Sequence, residues 1–445
     1  VLVGANANER RADQVGVAVT DLINPLSPPQ TPNSNASSRT PFNLQSIIRT
    51  GAVYSQVDVE ALNMLYLTLT GRLESASTFG PAQSTFFYPS GALAWQFSQL
   101  PAFQNSSFFD FGKLRLAVGQ VGIQPPPYQT RTYLIPTVLA DGWGTTLDAS
   151  AYRGGFGISP NQGNNALKPE RKTELETGLD LRFWNGRLNF SGTFYINETV
   201  DAILQIPVAA TTGFLSRSAN AARLNNRGVE LEINADVIKK GDFTWTLSPN
   251  WSFNRNRVTD LRGATNILLN GFAGTSVNPN AVEGYQMGVL FGARTLRGEN
   301  GQPTLDANGF PQLDPTFGVV GDPNPSWRAG FGTTFRFKNL SLFALVDHVH
   351  DFDVWNGTKG TLYVFGTHGD LGKETVVSAS DAATIRNSNG QTVAEFGRPT
   401  GDGSFAFRGE IKDFGGGRVA LDESWYTNIG GGFNGPNDQF VENIN

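Results

Sequence analysis

The sequence of 445 residues predicts an all-β protein, a transmembrane antiparallel β-barrel, and three observations carry this prediction. Apolar residues recur with a period of two, which is the signature of a strand. The segments with this period reach roughly ten residues or more, enough to cross a bilayer at a tilt. The connections alternate between short and long, which places every long one on the same side of an up-and-down sheet. Outer-membrane barrels have this asymmetry.

The composition agrees with many strands joined by turns. The chain has 51 glycines and 32 phenylalanines, and only 16% of its residues are charged. A net charge of −5 without a Lys/Arg cluster argues against a nucleic-acid partner. The lack of cysteine excludes disulfides, thiolate metal sites and cysteine nucleophiles. No stretch approaches the roughly 18–20 apolar residues of a membrane-spanning helix, and the first residues do not resemble a signal peptide.

The first six strands are expected at about 1–9, 47–59, 63–76, 85–98, 111–120 and 173–184. The sixth alternates most regularly, with leucines on one face and charged residues on the other. The charged face carries Glu174, Glu176, Asp180 and Arg182. Asn185-Gly186, a dipeptide typical of tight hairpins, then predicts an antiparallel partner at 188–197.

The later strands are expected at about 229–237, 244–253, 327–337 and 340–346, which brings the total to about eleven. Their polar faces carry Glu230, Glu232, Asp236, Arg328 and Arg336. Short turns fall near 60–62, 185–187, 239–242 and 338–339. Long loops, expected on the extracellular side, fall at about 10–46, 121–171, 199–226, 256–326 and 350–424. Residues 1–445 are therefore predicted to form one barrel portion.

An odd number of strands does not suit a closed bacterial barrel, and an open sheet edge in lipid leaves backbone groups unpaired. We therefore expect flanking sequence that contributes further strands. The chain also shows no compact domain before its first strand, so a plug domain is expected outside residues 1–445.

Seven segments together resemble the SusC/RagA family of TonB-linked outer-membrane receptors. The most specific is NALKPERKTELETGLDL (165–181), in which a loop leads into a strand. The others are YPSGALAWQFSQ (88–99), LRLAVGQVGIQPPPY (114–128), RLNFSGTFYINETVDAIL (187–204), NNRGVELEINA (225–235), GDPNPSWRAGFGTTFRFKNLSL (321–342) and VWNGTKGTLYVFGTH (354–368). Each segment alone gives modest support for the resemblance. The occurrence of all seven in the family's order across most of the chain gives stronger support.

The resemblance implies a barrel of about 22 strands with a plugged lumen in the outer membrane of a Gram-negative, Bacteroidetes-like bacterium. It also implies an N-terminal TonB box that engages the energy-coupling protein TonB, and a SusD-like surface lipoprotein over the outer mouth. The implied function is TonB-coupled import of an oligomeric nutrient, an oligosaccharide or a peptide, with no enzymatic activity and no cofactor. Two alternatives are a structural or scaffolding barrel within a larger complex and a soluble β-rich binding protein.

The acidic residues of the polar faces have two interpretations. Acid–base catalysis requires a pocket that separates the pKa values of two carboxyl groups. A polar barrel interior explains the same residues without catalysis, and we favour this reading. Arginines are then expected to balance the charge, and the candidates are Arg182, Arg227, Arg328 and Arg336.

Three further features have both a functional and a structural interpretation. His348 and His350 share a strand face, but two imidazoles fall short of a metal site, so a polar strand end is favoured. LDANGFPQLD (305–314) lacks the spacing of a calcium loop and is predicted to be a turn. Aromatic residues in the long loops either stack on ligand or pack the loops together, and these are Trp143, Tyr152, Phe156, Trp355 and Tyr363.

Overall fold

The computed structural model describes residues 1–19, 22–24, 26–27, 30–36, 39–80, 84–104, 106–137, 155–271, 277–429 and 435–445. Eleven long strands follow one another in chain order in one sheet. They are β1 (Leu2–Val19), β2 (Arg39–Ala61), β3 (Leu65–Ala76), β4 (Thr85–Trp95), β5 (Phe109–Ile123), β6 (Glu170–Phe183), β7 (Leu188–Pro207), β8 (Ser216–Lys240), β9 (Phe243–Asp260), β10 (Trp327–Phe337) and β11 (Leu340–His350).

Tight turns form where the sequence predicts them, because left-handed backbone conformations are available there. Leu62 and Asn63 between β2 and β3 have φ angles of 56° and 54°. Asn185 and Gly186 after β6 have φ angles of 55° and 75°, and Lys338 between β10 and β11 has 51°. A two-residue connection of this kind fixes the register of an antiparallel pair, and Phe337 accordingly lies opposite Leu340.

The prediction of about eleven strands is confirmed, but several strands are longer than predicted. β1 continues to Val19, inside the expected loop 10–46, and β2 already begins at Arg39. In the same way β7 and β8 enter the expected loop 199–226. The strands adjoining the other long loops also run past their predicted ends, as in β5 to Ile123 and β6 from Glu170.

The extension of β1 escaped the prediction because its alternation is interrupted between Glu9 and Gln14, where charged and polar residues lie on both faces, although Val15 and Val17 follow. In β1, Arg11 binds Asp13 at 2.7 Å, and Glu9 binds Arg49 of β2 at 2.7 Å. The backbone ladder nevertheless continues without interruption to Val19, which lies opposite Arg39. A strand outside a hydrocarbon layer needs no apolar face, so the two-residue period ends while the hydrogen bonding continues.

The first compact unit comprises Val1–Trp184 and Tyr195–Arg223. It contains β1 to β6 and the adjoining parts of β7 and β8. Its shorter elements are the strands Leu134–Thr137, Gly155–Ile158 and Asn161–Gln162, the helix Pro101–Gln104, and the 3₁₀ turns Thr31–Asn33, Phe97–Gln99 and Ala210–Thr212. In the described part of the chain, no helix is both long and apolar enough to span a bilayer.

The second compact unit comprises Asn185–Phe194 and Leu224–Asn445. It contains β9 to β11 and a set of shorter elements that we call the loop module, residues 261–271, 277–326, 351–429 and 435–445. Its strands are Asn266–Leu268, Val277–Val282, Val289–Gly292, Gly318–Gly321, Phe352–Trp355, Glu374–Val377, Arg398–Pro399, Phe405–Arg408, Glu410–Asp413, Arg418–Leu421 and Val441–Ile444. Its helices and turns are Gly357–Val364, Gly369–Gly372, Ala379–Ala382, Val393–Phe396, Trp425–Ile429 and Asn437–Phe440.

The loop module has a hydrophobic core of its own, which the prediction of long loops at 256–326 and 350–424 did not include. One cluster consists of Phe310, Tyr363, Val419, Leu421, Trp425, Tyr426 and Phe440. A second consists of Val377, Ala382, Ile385, Val393, Phe407 and Ala420. The described strands of the module have only two to six residues each. Such strands are too short to show a sustained period, which is why the sequence pattern did not reveal them.

Candidate functional site

The polar faces of β5 and β6 meet in a cross-strand network of charges. Their register places Lys113 opposite Asp180 and Ala117 opposite Glu176. Arg115 stands between the two carboxylates, with Nη1 3.2 Å from Glu176 Oε1 and Nε 3.0 Å from Asp180 Oδ2. The Nζ of Lys113 lies 3.0 Å from the same oxygen of Asp180. All four side chains are partly buried, so solvent screens these pairs less than fully exposed ones.

The network continues towards the long-loop end of β6. Lys172 Nζ lies 2.8 Å from Glu174 Oε2, and the amide of Asn197 donates to the same carboxylate at 2.9 Å. At the other end, the Arg182 guanidinium lies 5.0 Å from the centre of the Phe111 ring. The predicted acidic residues 174, 176 and 180 are thus brought together on one surface.

The cations that balance this surface are not the ones suggested by the sequence. Of the four arginines proposed for that role, only Arg182 lies on it. Lys113, Arg115 and Lys172 make the ion pairs instead. Arg115 is 61 residues from Glu176 in the chain. Only the pairing register of β5 with β6 joins them, and no local sequence signal carries that register across the intervening loop.

The second predicted polar group, on β8 and β10, is more open. Asp236 accepts a hydrogen bond of 2.8 Å from Thr246 Oγ1 and lies 3.8 Å from Lys239 Nζ. Glu230 and Glu232 are exposed. Arg328 and Arg336 are also exposed, and neither forms an ion pair with any described residue. The structure therefore does not join this group into a network.

The opposite face of the same strands exposes apolar side chains. On β5, Leu116 is 47% exposed and Val118 is 50% exposed. Their neighbours in the chain, Arg115 and Ala117, lie on the charged face of the same strand. On β6 and β10, Leu175 and Phe331 are 43% and 47% exposed. Large apolar side chains exposed along one face of a strand are not stable against water and mark contact with lipid or another apolar partner. The strands thus have one charged face and one apolar face, without a soluble core between them.

This geometry offers fixed charges along a surface rather than an activated nucleophile. Each carboxylate of the β5–β6 network lies beside a cation or an amide group. A row of alternating acidic and basic groups can exchange hydrogen bonds with a polar solute that moves along it. The arrangement therefore suits a polar passage.

Two predicted ligand aromatics belong to the loop module, and the structure shows them packing. Tyr363 is buried, with its ring centre 4.7 Å from Tyr426 and 4.5 Å from His368. Trp355 is half-buried against the first core cluster of the module. Phe156 is exposed on a short strand. Trp143 and Tyr152 lie outside the described residues.

Burial and a nearby carboxylate determine the ionisation of Tyr363. Its hydroxyl donates to Asp370 Oδ2 at 2.7 Å. Desolvation, followed by this hydrogen bond, raises the pKa of Tyr363 far above its ordinary value. The same hydroxyl, followed by the contribution of Lys373, holds the pKa of Asp370 below its ordinary value. The pair is therefore a neutral donor and a charged acceptor at neutral pH, as a structural hydrogen bond requires.

The remaining features have structural roles. The rings of His348 and His350 pack around Trp327, with ring centres 5.1 and 4.7 Å from it. Among the described residues, no group of three or more His, Asp or Glu side chains is arranged to hold a metal. The segment 305–314 is a turn, as predicted, because Asp306 Oδ1 accepts the backbone N–H groups of Asn308 and Phe310, both at 2.9 Å.

Comparison with known proteins gives one family. The family model described as "TonB dependent receptor-like, beta-barrel" matches residues 3–337. The TonB-dependent receptor P26 of Formosa agariphila is 28% identical over 311 residues, which is 65% of this chain and 30% of that protein. The TonB-dependent receptor SusC of Bacteroides thetaiotaomicron is 27% identical over 281 residues, which is 59% of this chain and 27% of that protein.

Solved structures show the same fold. The structure of the RagAB peptide transporter superposes with a TM-score of 0.61 at 20% identity, and the match covers 81% of this chain and 40% of the other. The closed-closed state of the RagAB peptide importer gives a TM-score of 0.62 at 18% identity, with the same coverage. The chain spans less than a third of the length of these two curated relatives.

Proposed function

The chain belongs to the family of TonB-dependent receptor-like β-barrels, and from this premise we propose that it imports an oligomeric nutrient, a glycan or a peptide, by TonB-coupled gating. As a member of this family it is an outer-membrane β-barrel protein of a Gram-negative bacterium. This family consists of receptors rather than enzymes, and the proposal includes no catalytic step.

The observation that carries the proposal is the charged network of β5 and β6 behind an apolar outer face. Arg115 contacts both Glu176 and Asp180, while Leu116, the next residue, is exposed on the other face. If the apolar face meets lipid, the charged face meets the interior of the barrel. A polar oligomer can then replace hydration water with contacts to this network as it passes.

Two partners belong to the proposal. A SusD-like surface lipoprotein would cover the outer mouth and help to capture the oligomer. The protein TonB would supply energy through a segment that precedes the barrel in the sequence. The names of SusC and of the RagAB transporter support this pairing, and the RagAB titles specify a peptide for that protein. For this chain the proposal includes both classes, a glycan and a peptide.

A structural barrel within a larger complex is the alternative. It would have the same strands and the same lipid-facing surface, so the transport of a solute is the property that separates the two. The soluble β-rich protein considered from the sequence is inconsistent with an outer-membrane location.

The experiment is an uptake assay in the source bacterium with the gene intact or deleted. Cells receive fluorescent oligosaccharides or fluorescent oligopeptides of matched size, with and without a protonophore. We expect the deletion to abolish uptake of one class and the protonophore to have the same effect. The variant Arg115→Gln, expressed at normal level, should reduce uptake, whereas Arg398→Gln on the loop module should not. Unchanged uptake of both classes in the deletion strain would favour the scaffolding alternative.

A further inference from the structure

The connection between β4 and β5 differs from the other connections at the same end of the strands. The turns after β2, β6, β8 and β10 have only two to four residues, whereas this connection runs from residue 96 to residue 108. The structure describes 96–104 and 106–108 of it, including the 3₁₀ turn Phe97–Gln99 and the helix Pro101–Gln104. From Ser75 to Phe109 the sequence contains no charged residue. The connection is therefore long, folded and uncharged, unlike a solvated turn.

Seven aromatic rings form one cluster around this connection, which we call the aromatic cluster. Its members are Trp95, Phe97, Phe103, Phe108, Phe109, Phe183 and Trp184. Neighbouring ring centres in the cluster lie 5.2 to 6.0 Å apart, a separation at which aromatic rings attract each other. The rings belong to the ends of β4 and β6, to the start of β5 and to the connection itself. The cluster thus fastens the connection to three strands.

The connection is folded onto the outer, apolar face of the strands. Gly112 of β5 shares its face with Leu114 and Leu116, because alternate residues of a strand point to the same side. A Cβ atom built on Gly112 would collide with the rings of Phe97 and Phe109. Phe97 therefore lies against the backbone of β5 on the face that exposes the leucines, and the glycine provides the space for it.

Backbone hydrogen bonds hold the connection in this fold. The N–H of Gln96 donates to the carbonyl of Met64 in the neighbouring short turn at 2.8 Å. Within the connection, the N–H of Phe103 donates to the carbonyl of Leu100 at 2.9 Å, and the N–H of Ser106 donates to the carbonyl of Phe103 at 3.1 Å. Paired backbone groups lose little when they leave water, whereas unpaired ones cost several kcal/mol each. These bonds therefore favour entry of the connection into a bilayer.

Part of the aromatic cluster is uncovered, and it adjoins the apolar outer face. Phe108 is 54% exposed and Trp184 is 51% exposed. Trp95 lies opposite Leu114 in the register of β4 with β5, and Leu114 is itself exposed. The outer face of these strands meets lipid in an outer-membrane barrel. Aromatic rings without nearby charges at the end of such a face fit the boundary between acyl chains and headgroups.

We propose that the β4–β5 connection is a membrane anchor, which inserts Phe103 and Phe108 into the lipid leaflet at the short-turn end of the barrel. Short turns mark the periplasmic end of an outer-membrane barrel, so this is the leaflet that faces the periplasm. Because the connection carries no charge, its insertion requires no anionic lipid. The anchor concerns attachment to the bilayer and not the passage of a solute, so it goes beyond the proposed function.

Fluorescence quenching in bilayers of phosphatidylcholine tests the proposal on the full chain. The chain has no cysteine, so Ala102→Cys gives a single attachment point for a bimane fluorophore beside Phe103. Lys240→Cys, at the exposed end of β8 before a two-residue turn, is the matched control. We expect lipids brominated on their acyl chains to quench the label at 102 at least three-fold more than the label at 240. Iodide in the water should show the reverse preference.

Addition of anionic phosphatidylglycerol should change neither result. Equal quenching of both labels by iodide would overturn the proposal, because the connection would then lie in water. Protection of the label at 102 from both quenchers would also overturn it, because protein, such as a second copy of the chain, would then cover the cluster. Quenching by brominated lipid only in the presence of phosphatidylglycerol would contradict an uncharged anchor.

Substitutions identify the groups that insert. Phe103→Ser combined with Phe108→Ser should reduce the quenching of the label at 102 by brominated lipid at least two-fold. Gly112→Ala should have a similar effect, because it displaces Phe97 from the outer face of β5. Phe317→Ser, at an exposed phenylalanine of the loop module, is the matched control and should leave the quenching unchanged.

Electrophoresis without boiling identifies any variant that has unfolded. If the double variant or Gly112→Ala unfolds, Phe103→Ser alone provides the test, with a smaller reduction in the same direction. Lipid quenching that is the same in the unaltered protein and in every folded variant would contradict the assignment of these rings to the bilayer.

Discussion

The long strands and the loop module use apolar residues in opposite ways. On β10, Phe331 is 47% exposed, whereas Phe310 of the loop module is fully buried against Trp425, with ring centres 5.0 Å apart. The strands present their apolar side chains outward and pair their charges on the other face. The module collects its apolar side chains into two clusters.

This difference shows that two solvents shape one chain. A strand in a lipid layer is stabilised by its backbone ladder and by apolar groups in contact with hydrocarbon. A module in water is stabilised by removing apolar groups from the surface. An apolar residue therefore stabilises the two regions in different ways. Substitutions in each region can distinguish these two effects.

The largest expected effect is in the core of the module. Phe310→Ala should destabilise the module by about 3–5 kcal/mol, because it leaves a cavity beside Trp425. Phe317→Ala, at a 57% exposed position of the same module, should cost less than about 1 kcal/mol. Phe331→Ala on β10 should leave the module's transition unchanged. Denaturant unfolding followed by tryptophan fluorescence measures all three, and equal losses for Phe310→Ala and Phe317→Ala would remove the distinction between the regions.

A smaller effect is expected on the charged face of the strands. Arg115→Gln removes the ion pairs of Arg115 with Glu176 and Asp180, so it should cost about 1–3 kcal/mol. Arg223→Gln removes a more exposed pair with Glu198 at 3.4 Å and should cost no more than about 1 kcal/mol. The temperature at which the folded band disappears in electrophoresis without boiling reports the difference. If Arg223→Gln proves the more damaging, the network does not stabilise the strands as described.

The smallest effect concerns a hydrogen bond within the module. Tyr363→Phe removes the donor to Asp370 and should cost about 1 kcal/mol. Because the hydroxyl holds the pKa of Asp370 below its ordinary value of 3.8, the carboxylate contributes stability above that pH. This stability is lost as the pH falls through the lowered pKa. The variant should therefore lose less stability than the unaltered protein between pH 7 and acid, and parallel pH profiles would show that the bond has no such role.

The sequence predicted the membrane-facing parts of the strands well for a physical reason. A strand between lipid and a polar interior must alternate, so Trp327–Phe337 was predicted with its observed bounds. Beyond the hydrocarbon no such requirement holds, and the extension of β1 to Val19 was missed. The alternation of apolar and polar residues therefore marks the part of a strand that contacts lipid. It does not mark the full length over which the strand is hydrogen-bonded to its neighbours.

The sequence could not predict the contacts that depend on pairing across distant segments. Arg115 meets Glu176 only through the register of β5 with β6. In the loop module, Arg297 pairs with Asp438 at 3.4 Å from two distant segments, again without a local pattern. Tyr363 was considered as a ligand residue or a packing residue, and only the fold shows its burial.

Accessibility of neighbouring residues on β5 tests the two-faced strand most directly. The chain has no cysteine, so Leu116→Cys and Ala117→Cys each give a single attachment point for a spin label. In lipid bilayers, the label at 116 should relax strongly with oxygen, which dissolves in hydrocarbon, and the label at 117 should relax strongly with a water-soluble nickel complex. Equal access of the nickel complex to both positions, or the reverse preference, would contradict the account.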